Sequence, residues 1–335
     1  MRRLAAALAT AALAAAVAGC NVGAGAPTAD HKDSTTKICM MPKLVGIPYF
    51  NATERGAKDA ARELDIELDY NGPTEAVAVR QVEFIQQWVQ LRCDAITVAG
   101  NDPDALAPAL KEARRSGIKT GSWDADVAKD ARSYFVNQAT FKAIGETMTD
   151  IMAKQTDRKG KFLIVTGSLT APNTNEWIAA MRKRVKERYP KMKIASVQPG
   201  EENLQKGIDV TKSYLSANPD TAGVFGITTV ALPGVAEAVR QMGLKGKVAV
   251  TGLTDPVIAK PYVDEGIIEQ AVLWNPEDLG YLAVYVAKKM LDGTMPKSGA
   301  FKAGRLGDVK MIAKDEVLLG PPLVFSKKDV GRYDF

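Results

Sequence analysis

Beginning at residue 37, short apolar runs alternate with longer stretches in which apolar residues recur every three or four positions. The run 38–41 predicts a β-strand, and Ala57, Ala60 and Leu64 recur at helical spacing in the stretch that follows. This alternation continues to residue 123 and is typical of a parallel sheet with helices on both faces. The predicted strands of this part are 38–41, 66–70, 95–99 and 118–123, and the predicted helices are 51–64, 77–91 and 103–116.

The alternation then restarts at residue 141. A chain that repeats such a pattern is expected to form two similar lobes, each with its own doubly wound parallel sheet, so the predicted fold class is α/β. After a late helix at 278–291, the tail beyond Gly293 has no clear periodicity and is predicted to be mostly irregular. The predicted strands of the second part are 160–167, 194–197, 222–227 and 248–253, and the predicted helices are 141–155, 175–189, 204–217, 233–242 and 256–265.

The first nineteen residues are typical of a secretory signal peptide. Arg2 and Arg3 precede an apolar run, which ends in the small residues Ala18 and Gly19 directly before Cys20. A cysteine at this place predicts a bacterial lipoprotein, in which Cys20 carries the lipid and becomes the new N-terminus. The alternatives are an ordinary signal peptide with an incidental cysteine and a membrane helix, for which the run is too short.

Residues 20–36 have the composition of a flexible tether, rich in Gly, Ala, Thr, Asp and Ser. His31, the only histidine of the chain, lies in this stretch. The folded body therefore has no histidine for a Ser-His-Asp site, a Cys-His site or a histidine-ligated metal. The sequence also has no dinucleotide fingerprint and no nucleophile elbow, so we expect no cofactor and no metal.

The composition is that of a globular protein, with 46% hydrophobic and 25% charged residues in 335. The formal charge of +5 falls to +3 once Arg2 and Arg3 are removed. This charge is too small and too evenly spread to predict nucleic-acid binding. No second hydrophobic stretch is long enough to span a bilayer, so the lipid on Cys20 is predicted to be the only membrane anchor.

Two cysteines remain in the body, Cys39 and Cys93, each at the start of a predicted strand. The first and third strands of a doubly wound sheet are neighbours, so the two thiols could approach one another and oxidise outside the cytoplasm. Two buried free thiols are the alternative, because cysteine is among the most buried residue types.

The candidate site is built from loops at the carboxyl ends of the predicted strands, where ligands bind in open α/β sheets. These loops combine aromatic rings with neutral hydrogen-bonding groups and carboxylates. The candidate ligand-binding residues are Lys43, Tyr49, Phe50, Trp123, Asp124, Asp126, Asn173, Thr174, Asn175, Trp177, Thr228, Thr229, Asp255 and Trp274.

Rings cover apolar C–H faces, and a carboxylate accepts hydrogen bonds from neighbouring hydroxyls, so the set suits an uncharged polyhydroxylated ring. Asp124 is expected to be the chief hydroxyl acceptor. Glycoside hydrolases use a carboxylate pair, but Asp124 and Asp126 share one loop, whereas a catalytic pair flanks the bond that is cleaved. Phosphate is disfavoured because no glycine-rich loop occurs. We therefore expect a binding protein rather than an enzyme.

Several stretches resemble one family. They are 42–50 (PKLVGIPYF), 72–75 (GPTE), 122–126 (SWDAD), 134–138 (YFVNQ), 231–233 (ALP), 261–263 (PYV) and 331–335 (GRYDF). In these stretches the chain resembles the solute-binding proteins of bacterial sugar ABC importers of the ribose-binding type, and within them the autoinducer-2-binding LsrB proteins and rhamnose-type binders. The resemblance covers nearly all of residues 37–335.

The resemblance implies a type I periplasmic binding protein, a monomer that closes two lobes on its ligand about a three-segment hinge. The N-terminal lobe is expected at 37–138 plus 276–305, and the C-terminal lobe at 139–275 plus 306–335, with crossings near 137–138, 274–276 and 303–309. The closed form would dock on an ABC permease from the periplasm or cell surface. A sensory subunit that presents its closed form to a receptor is the alternative; a DNA-binding regulator of this fold would need an N-terminal helix-turn-helix.

The resemblance also bears on the ligand. In the autoinducer-2 binders, a lysine and an aspartate that hold the ligand match Lys43 and Asp124. The other four ligand positions differ here, so another small sugar or polyol is expected, such as a deoxysugar like rhamnose or a pentose, because Trp274 favours stacking. Those four positions fall on Asn173, Thr174, Ile227 and Thr229.

Overall fold

The computed structural model describes residues 35–335. The predicted signal peptide at 1–19, the predicted lipidation site Cys20 and most of the predicted tether lie outside the described residues. Within residues 35–335, no helix is both long enough and apolar enough to cross a membrane.

Strands and helices alternate through most of the described chain, as the hydrophobic pattern predicts. Many helices begin where the sequence supplies a start signal: proline occupies the first turn of the helices at 48, 103, 172, 256 and 276, and Asp102, Thr140, Asn203 and Asn275 cap helices through their side chains. The strands are β1 (Lys37–Met41), β2 (Glu67–Tyr70), β3 (Ala95–Val98), β4 (Lys119–Trp123), β5 (Tyr134–Asn137), β6 (Lys159–Thr166), β7 (Lys191–Pro199), β8 (Thr221–Gly226), β9 (Ala249–Gly252), β10 (Gln270–Leu273), β11 (Ala300–Lys302), β12 (Asp308–Ala313), β13 (Glu316–Leu318) and β14 (Leu323–Ser326). The helices are α1 (Pro48–Glu63), α2 (Ala78–Gln90), α3 (Pro103–Arg115), α4 (Phe141–Gln155), α5 (Pro172–Arg188), α6 (Leu204–Ala217), α7 (Ala231–Gln241), α8 (Pro256–Asp264) and α9 (Pro276–Leu291).

The first lobe is built on an eight-stranded sheet in the order β11-β12-β13-β5-β4-β3-β1-β2. Its strands from β2 to β13 run parallel, and the order reverses between β1 and β3, as in a doubly wound sheet. β3 is buried along its whole length, and β4 is buried except for its first residue, which fits a sheet that is covered by helices on both faces.

The second lobe has a four-stranded parallel sheet in the order β7-β6-β8-β9. Isolated parallel bridges from Val250 to Ile268 and from Leu253 to Val272 continue this sheet towards β10, which pairs antiparallel with β14. In both lobes the carboxyl ends of the parallel strands lead into the loops that carry the candidate site residues. The two parallel sheets confirm the predicted α/β architecture.

The tail after α9 is not irregular, in contrast to the sequence expectation. It forms β11, β12 and β13, and β13 pairs parallel with β5 in the first-lobe sheet. The pattern missed β11 and β13 because strands of three residues are too short to show alternation. Residues 308–318 therefore belong to the first-lobe sheet, and the third crossing lies at 319–322, after the expected 303–309.

Cys39 of β1 and Cys93, which precedes β3, are joined by a disulfide with Cα atoms 6.0 Å apart. β1 and β3 are adjacent and pair in register from Ile38 with Ala95, which brings the two residues together. The bond lies within the first lobe.

Candidate ligand-binding site

A small cavity of about 40 Å³ lies where the carboxyl ends of the two sheets face each other. Both lobes contribute side chains to it. The lining residues are Lys43, Ile47, Tyr49, Phe50 and Asp124 from the first lobe, Asn173, Thr174, Trp177, Glu202, Thr228, Thr229, Leu253 and Leu273 from the second, and Trp274 at a crossing.

The first lobe contributes a hydrogen-bonded pair, Tyr49 and Asp124. Tyr49 stands on the first turn of α1, and Asp124 directly follows β4. The Tyr49 hydroxyl donates to Asp124 Oδ1 at 2.7 Å and accepts from the Trp274 Nε1–H at 2.9 Å. Burial raises the pKa of the Asp124 carboxyl, against the opposing effects of the Lys43 charge and the Tyr49 hydrogen bond. Asp124 is therefore a buried acceptor whose orientation is fixed by its neighbours.

The second lobe contributes the start of α5 and the loop after β8. Asn173 and Trp177 stand on successive turns of α5, and Thr228 follows β8. The Thr228 hydroxyl accepts from the backbone N–H of Ala231 at 3.1 Å, which fixes the beginning of α7. The Trp177 indole Nε1 is buried without a hydrogen-bond partner in the described part of the chain. The second-lobe face therefore presents at least one polar atom, Trp177 Nε1, that lacks a hydrogen-bond partner among the described residues.

Direct contacts join the lobes around the cavity. Lys43 Nζ of the first lobe donates to Asn173 Oδ1 of the second at 2.8 Å, and both side chains are buried. The Thr170 hydroxyl donates to the backbone oxygen of Asn101 at 3.1 Å across the same gap. The structure is thus a closed form, in which these contacts join the two lobes beside the cavity.

Aromatic rings form a connected wall along one side of the cavity. Trp274 lies 6.0 Å from Trp177 and 6.1 Å from Tyr49, and Tyr49 lies 5.0 Å from Phe50, measured between ring centroids. The Phe50 ring meets Trp123 edge-on at 5.8 Å. Trp123 is fully buried behind Phe50 and does not line the cavity, so the structure makes it a support for the wall.

Two more of the predicted site residues, Asp126 and Asn175, do not line the cavity. Asp126 pairs through both oxygens with the buried guanidinium of Arg132, at 2.7 Å each, and accepts from the Ser122 hydroxyl at 2.5 Å. It fixes the loop after β4 rather than facing a ligand. Asn175 points to the outside, where its amide donates to the Leu169 backbone oxygen at 2.9 Å.

Asp255, at the N-cap of α8, also lies away from the cavity lining. It is 2% exposed, and its Oδ1 has no hydrogen-bond partner among the described residues. Burial raises the pKa of Asp255 to about 7. The sequence expectation that it contacts a ligand therefore has no support from its position.

Four lining residues were not predicted from the sequence: Ile47, Glu202, Leu253 and Leu273. The three aliphatic residues stand beside strand ends, where an apolar side chain looks like any core residue. Glu202 follows β7, which extends to Pro199 and so ends closer to Glu202 than the predicted 194–197. Applying the strand-end rule to the β7 loop would have found this residue.

Comparison with known proteins fits this geometry. The family described as "Periplasmic binding protein domain" matches residues 38–295. The chain belongs to this family. Among curated relatives of this periplasmic binding protein is the D-ribose/D-allose-binding protein of Pseudomonas aeruginosa, 27% identical over 285 residues, which cover 81% of this chain and 87% of that protein.

Two solved structures resemble this periplasmic binding protein along most of its length. A solute-binding protein of Clostridium phytofermentans with bound L-rhamnose is 28% identical, with a TM-score of 0.85 over 90% of this chain and 98% of that one. LsrB of Clostridium saccharobutylicum in complex with autoinducer-2 is 27% identical, with a TM-score of 0.83, and the match covers 89% of this chain and 100% of that one. These findings confirm the family resemblance and the type I fold. They also confirm that the protein is a binding protein, not an enzyme, of an extracytoplasmic family.

Proposed function

We propose that this protein binds a small neutral sugar or polyol between its lobes and delivers it to the permease of an ABC transporter. The observation that carries the proposal is the closed cavity, in which the oriented Asp124 carboxylate faces a wall of aromatic rings. Rings pack against the C–H faces of a sugar, while a carboxylate accepts from its hydroxyls. The relatives that bind D-ribose or D-allose and L-rhamnose support the same ligand class.

In the proposed mechanism the ligand drives closure by hinge bending. The lobes are 37–138 with 276–318 and 139–275 with 323–335, so that three crossings form the hinge. A ligand shifts the equilibrium only by its differential affinity for the closed state, which here comes from contacts to both lobes at once. The Lys43–Asn173 hydrogen bond then adds a direct contact that exists only after closure.

Autoinducer-2 is the second candidate ligand. Lys43 and Asp124, the two residues shared with the autoinducer-2 binders, both line the cavity. Of the positions that differ, Asn173, Thr174 and Thr229 also line it, whereas Ile227 is buried behind it. The differences thus lie mainly where a ligand would be touched, which favours a sugar or polyol over autoinducer-2.

The ligand proposal is tested by thermal unfolding of residues 21–335 with D-ribose, D-allose, L-rhamnose, D-arabinose, simple polyols and autoinducer-2. A true ligand at a hundredfold excess over its Kd stabilises by about 2.7 kcal/mol, which raises the Tm by several degrees. We expect a sugar or polyol to do so and autoinducer-2 to have little effect. A response to autoinducer-2 alone would reject the sugar proposal, and uptake of the labelled ligand by cells with and without the gene separates import from sensing.

We also propose that Cys20 is lipidated and anchors the protein on the outer side of the cytoplasmic membrane or in the periplasm. The proposal rests on the residues before Cys20 and on an extracytoplasmic family. Cys20→Ser should move the protein from the membrane fraction to the soluble fraction, or leave its leader uncut. A variant that is cut and fractionates like the unchanged protein would contradict it.

A further inference from the structure

Glu202 is the only acid among the second-lobe residues that line the cavity within the described chain. Its Oε2 is shielded from solvent and has no hydrogen-bond partner among the described residues. Its Oε1 lies only 2.5 Å from the place that a Cβ would occupy at Gly167, the residue after β6. The absence of a side chain at Gly167 is therefore what makes room for this carboxylate.

The backbone around this carboxylate adopts an unusual conformation. Glu201 and Glu202 have φ angles of +54° and +50°, and Asp124 on the opposite lobe has +60°. Left-handed backbone is uncommon for residues other than glycine and concentrates at ligand sites, where the surrounding structure holds it. The two carboxylates that line the cavity, one from each lobe, thus both stand on left-handed backbone.

Closure brings like charges together. Asp124 and Glu202 both line the closed cavity, and Lys43, which already donates to Asn173, is the one cation that residues 35–335 contribute to the lining. The Thr228 hydroxyl is a hydrogen-bond partner of the Glu202 carboxylate, but it leaves Oε2 without one among the described residues. A buried carboxylate oxygen without a donor is costly, and so is a pair of acids that shares one cation. In a closed form without ligand, nothing in the described chain supplies a donor to Glu202 Oε2.

We infer that Glu202 is a specificity-determining residue, whose carboxylate accepts a hydrogen bond from a ligand hydroxyl and disfavours closure until that hydroxyl is present. This inference rests on the proposed function as a sugar-binding protein. It further specifies the ligand class: a sugar with hydroxyl donors on two edges, one facing Asp124 and the other facing Glu202. A deoxysugar that lacks the second donor leaves the carboxylate unpaired and is rejected.

The test compares sugar pairs that differ by one hydroxyl: L-mannose with L-rhamnose, D-galactose with D-fucose, and D-ribose with 2-deoxy-D-ribose. Calorimetric Kd values are measured for the unchanged protein, Glu202→Met and Glu202→Gln. In at least one pair, we expect the unchanged protein to prefer the hydroxylated sugar by tenfold or more. Glu202→Met introduces an apolar side chain of similar length and should reduce that preference to threefold or less. Glu202→Gln can still accept a hydrogen bond, so its preference should lie between those of the unchanged protein and Glu202→Met.

Glu201→Gln is the matched control, because Glu201 shares the left-handed backbone but is exposed and does not line the cavity. It should leave all preferences unchanged. Gly167→Ala should displace the Glu202 carboxylate without removing it, and so should lower the preference as Glu202→Met does. Unchanged preferences in Glu202→Met would overturn the inference while the proposed function stands.

If no sugar in the panel binds, that result counts against the proposed function. The role of Glu202 is then tested by a measurement on the protein without ligand. Small-angle scattering of the unliganded protein should show a smaller radius of gyration for Glu202→Met than for the unchanged protein or Glu201→Gln, because closure no longer buries an unpaired charge. Equal radii in all three proteins would contradict the role of Glu202 in holding the lobes apart.

Discussion

The two faces of the cavity differ in how far their polar groups are already paired. On the first-lobe face, Tyr49 donates to Asp124 and accepts from Trp274, so these groups hold one another in place. On the second-lobe face, Trp177 Nε1 and Glu202 Oε2 are buried with no partner in the described residues. A pre-formed face provides affinity without an ordering cost, whereas a face with unmade hydrogen bonds discriminates between ligands. We therefore propose that affinity comes mainly from the first-lobe face and selectivity mainly from the second-lobe face.

The lobes also differ in their internal cross-links. The first lobe holds the Cys39–Cys93 disulfide and the buried Arg132, which pairs with both Asp126 and Asp315. The sequence has no cysteine after Cys93. Buried polar atoms without a partner among the described residues occur in both lobes, for example Asn137 Oδ1 in the first and Asp255 Oδ1 in the second. We therefore expect the first lobe to be the more rigid platform.

Removing the disulfide should have the largest effect on the free energy of unfolding. It should also make the first lobe less rigid and so more like the second. The bond spans 54 residues, and a closed loop of about that size stabilises by about 4 kcal/mol in the chain-entropy estimate. The double variant Cys39→Ala with Cys93→Ala should lose stability of this order in urea unfolding and unfold its first lobe at lower urea. Under conditions in which the variant is folded, its Kd for the ligand should equal that of the unchanged protein, because Cys93 lies at the opposite end of the sheet from the cavity. Identical unfolding curves in the oxidised and reduced protein would contradict the expectation.

One acid in each lobe, the buried Asp255 and the half-buried Asp126, gives opposite predictions for the same substitution to asparagine. Burial raises the pKa of Asp255 to about 7, so between pH 4 and 7 the unfolded chain releases this proton while the folded protein retains it. The stability contribution of Asp255 is therefore complete below pH 4, is lost as the pH rises to about 7 and stays lost above it. Asp255→Asn should raise stability above pH 7 by a few kcal/mol and have little effect at pH 4.

The matched substitution in the first lobe is Asp126→Asn, which breaks a buried pair and leaves Arg132 with only Asp315. It should destabilise at neutral pH, because the buried Arg132 guanidinium loses one of its two carboxylate partners. Unfolding free energies of both variants from pH 4 to 8 provide the measurement. A stabilising Asp126→Asn, or a pH-independent effect of Asp255→Asn, would show that pairing does not distinguish these two acids.

Asp124→Ala tests whether the first-lobe face supplies most of the affinity. Losing a charged hydrogen-bond partner costs about 1.5–3 kcal/mol, which corresponds to a Kd increase of about ten- to hundredfold or more. Tyr49→Phe, which removes the hydroxyl that orients Asp124, should produce a smaller increase in the same direction. Calorimetry with the sugar found by thermal screening gives both values, and an unchanged Kd for Asp124→Ala would remove this residue from the site.

The hydrophobic pattern was sufficient to predict the lobes and the cavity because both follow from local signals. Asp124 could be found because it directly follows a buried strand. Asp126, two residues later, looked equivalent, but it pairs with Arg132, which also pairs with Asp315 just before β13, a strand that the tail pattern did not show. Glu202 was missed because the strand before it extends beyond its apolar stretch. What the sequence could not reveal is which polar groups pair with each other, since partners such as Tyr49 and Trp274 are 225 residues apart.

Two neighbouring tryptophans of the aromatic wall allow the finest test of the comparison. Trp274 Nε1 donates to Tyr49, whereas Trp177 Nε1 has no partner in the described chain, although both rings line the cavity and lie 6.0 Å apart. Trp274→Phe should lower the unliganded stability by about 1 kcal/mol, the usual net value of one hydrogen bond. Trp177→Phe breaks no hydrogen bond in the unliganded protein, so it should weaken ligand binding with a smaller effect on stability. Paired unfolding and Kd measurements decide, and equal stability losses in the two variants would show that both faces are equally pre-formed.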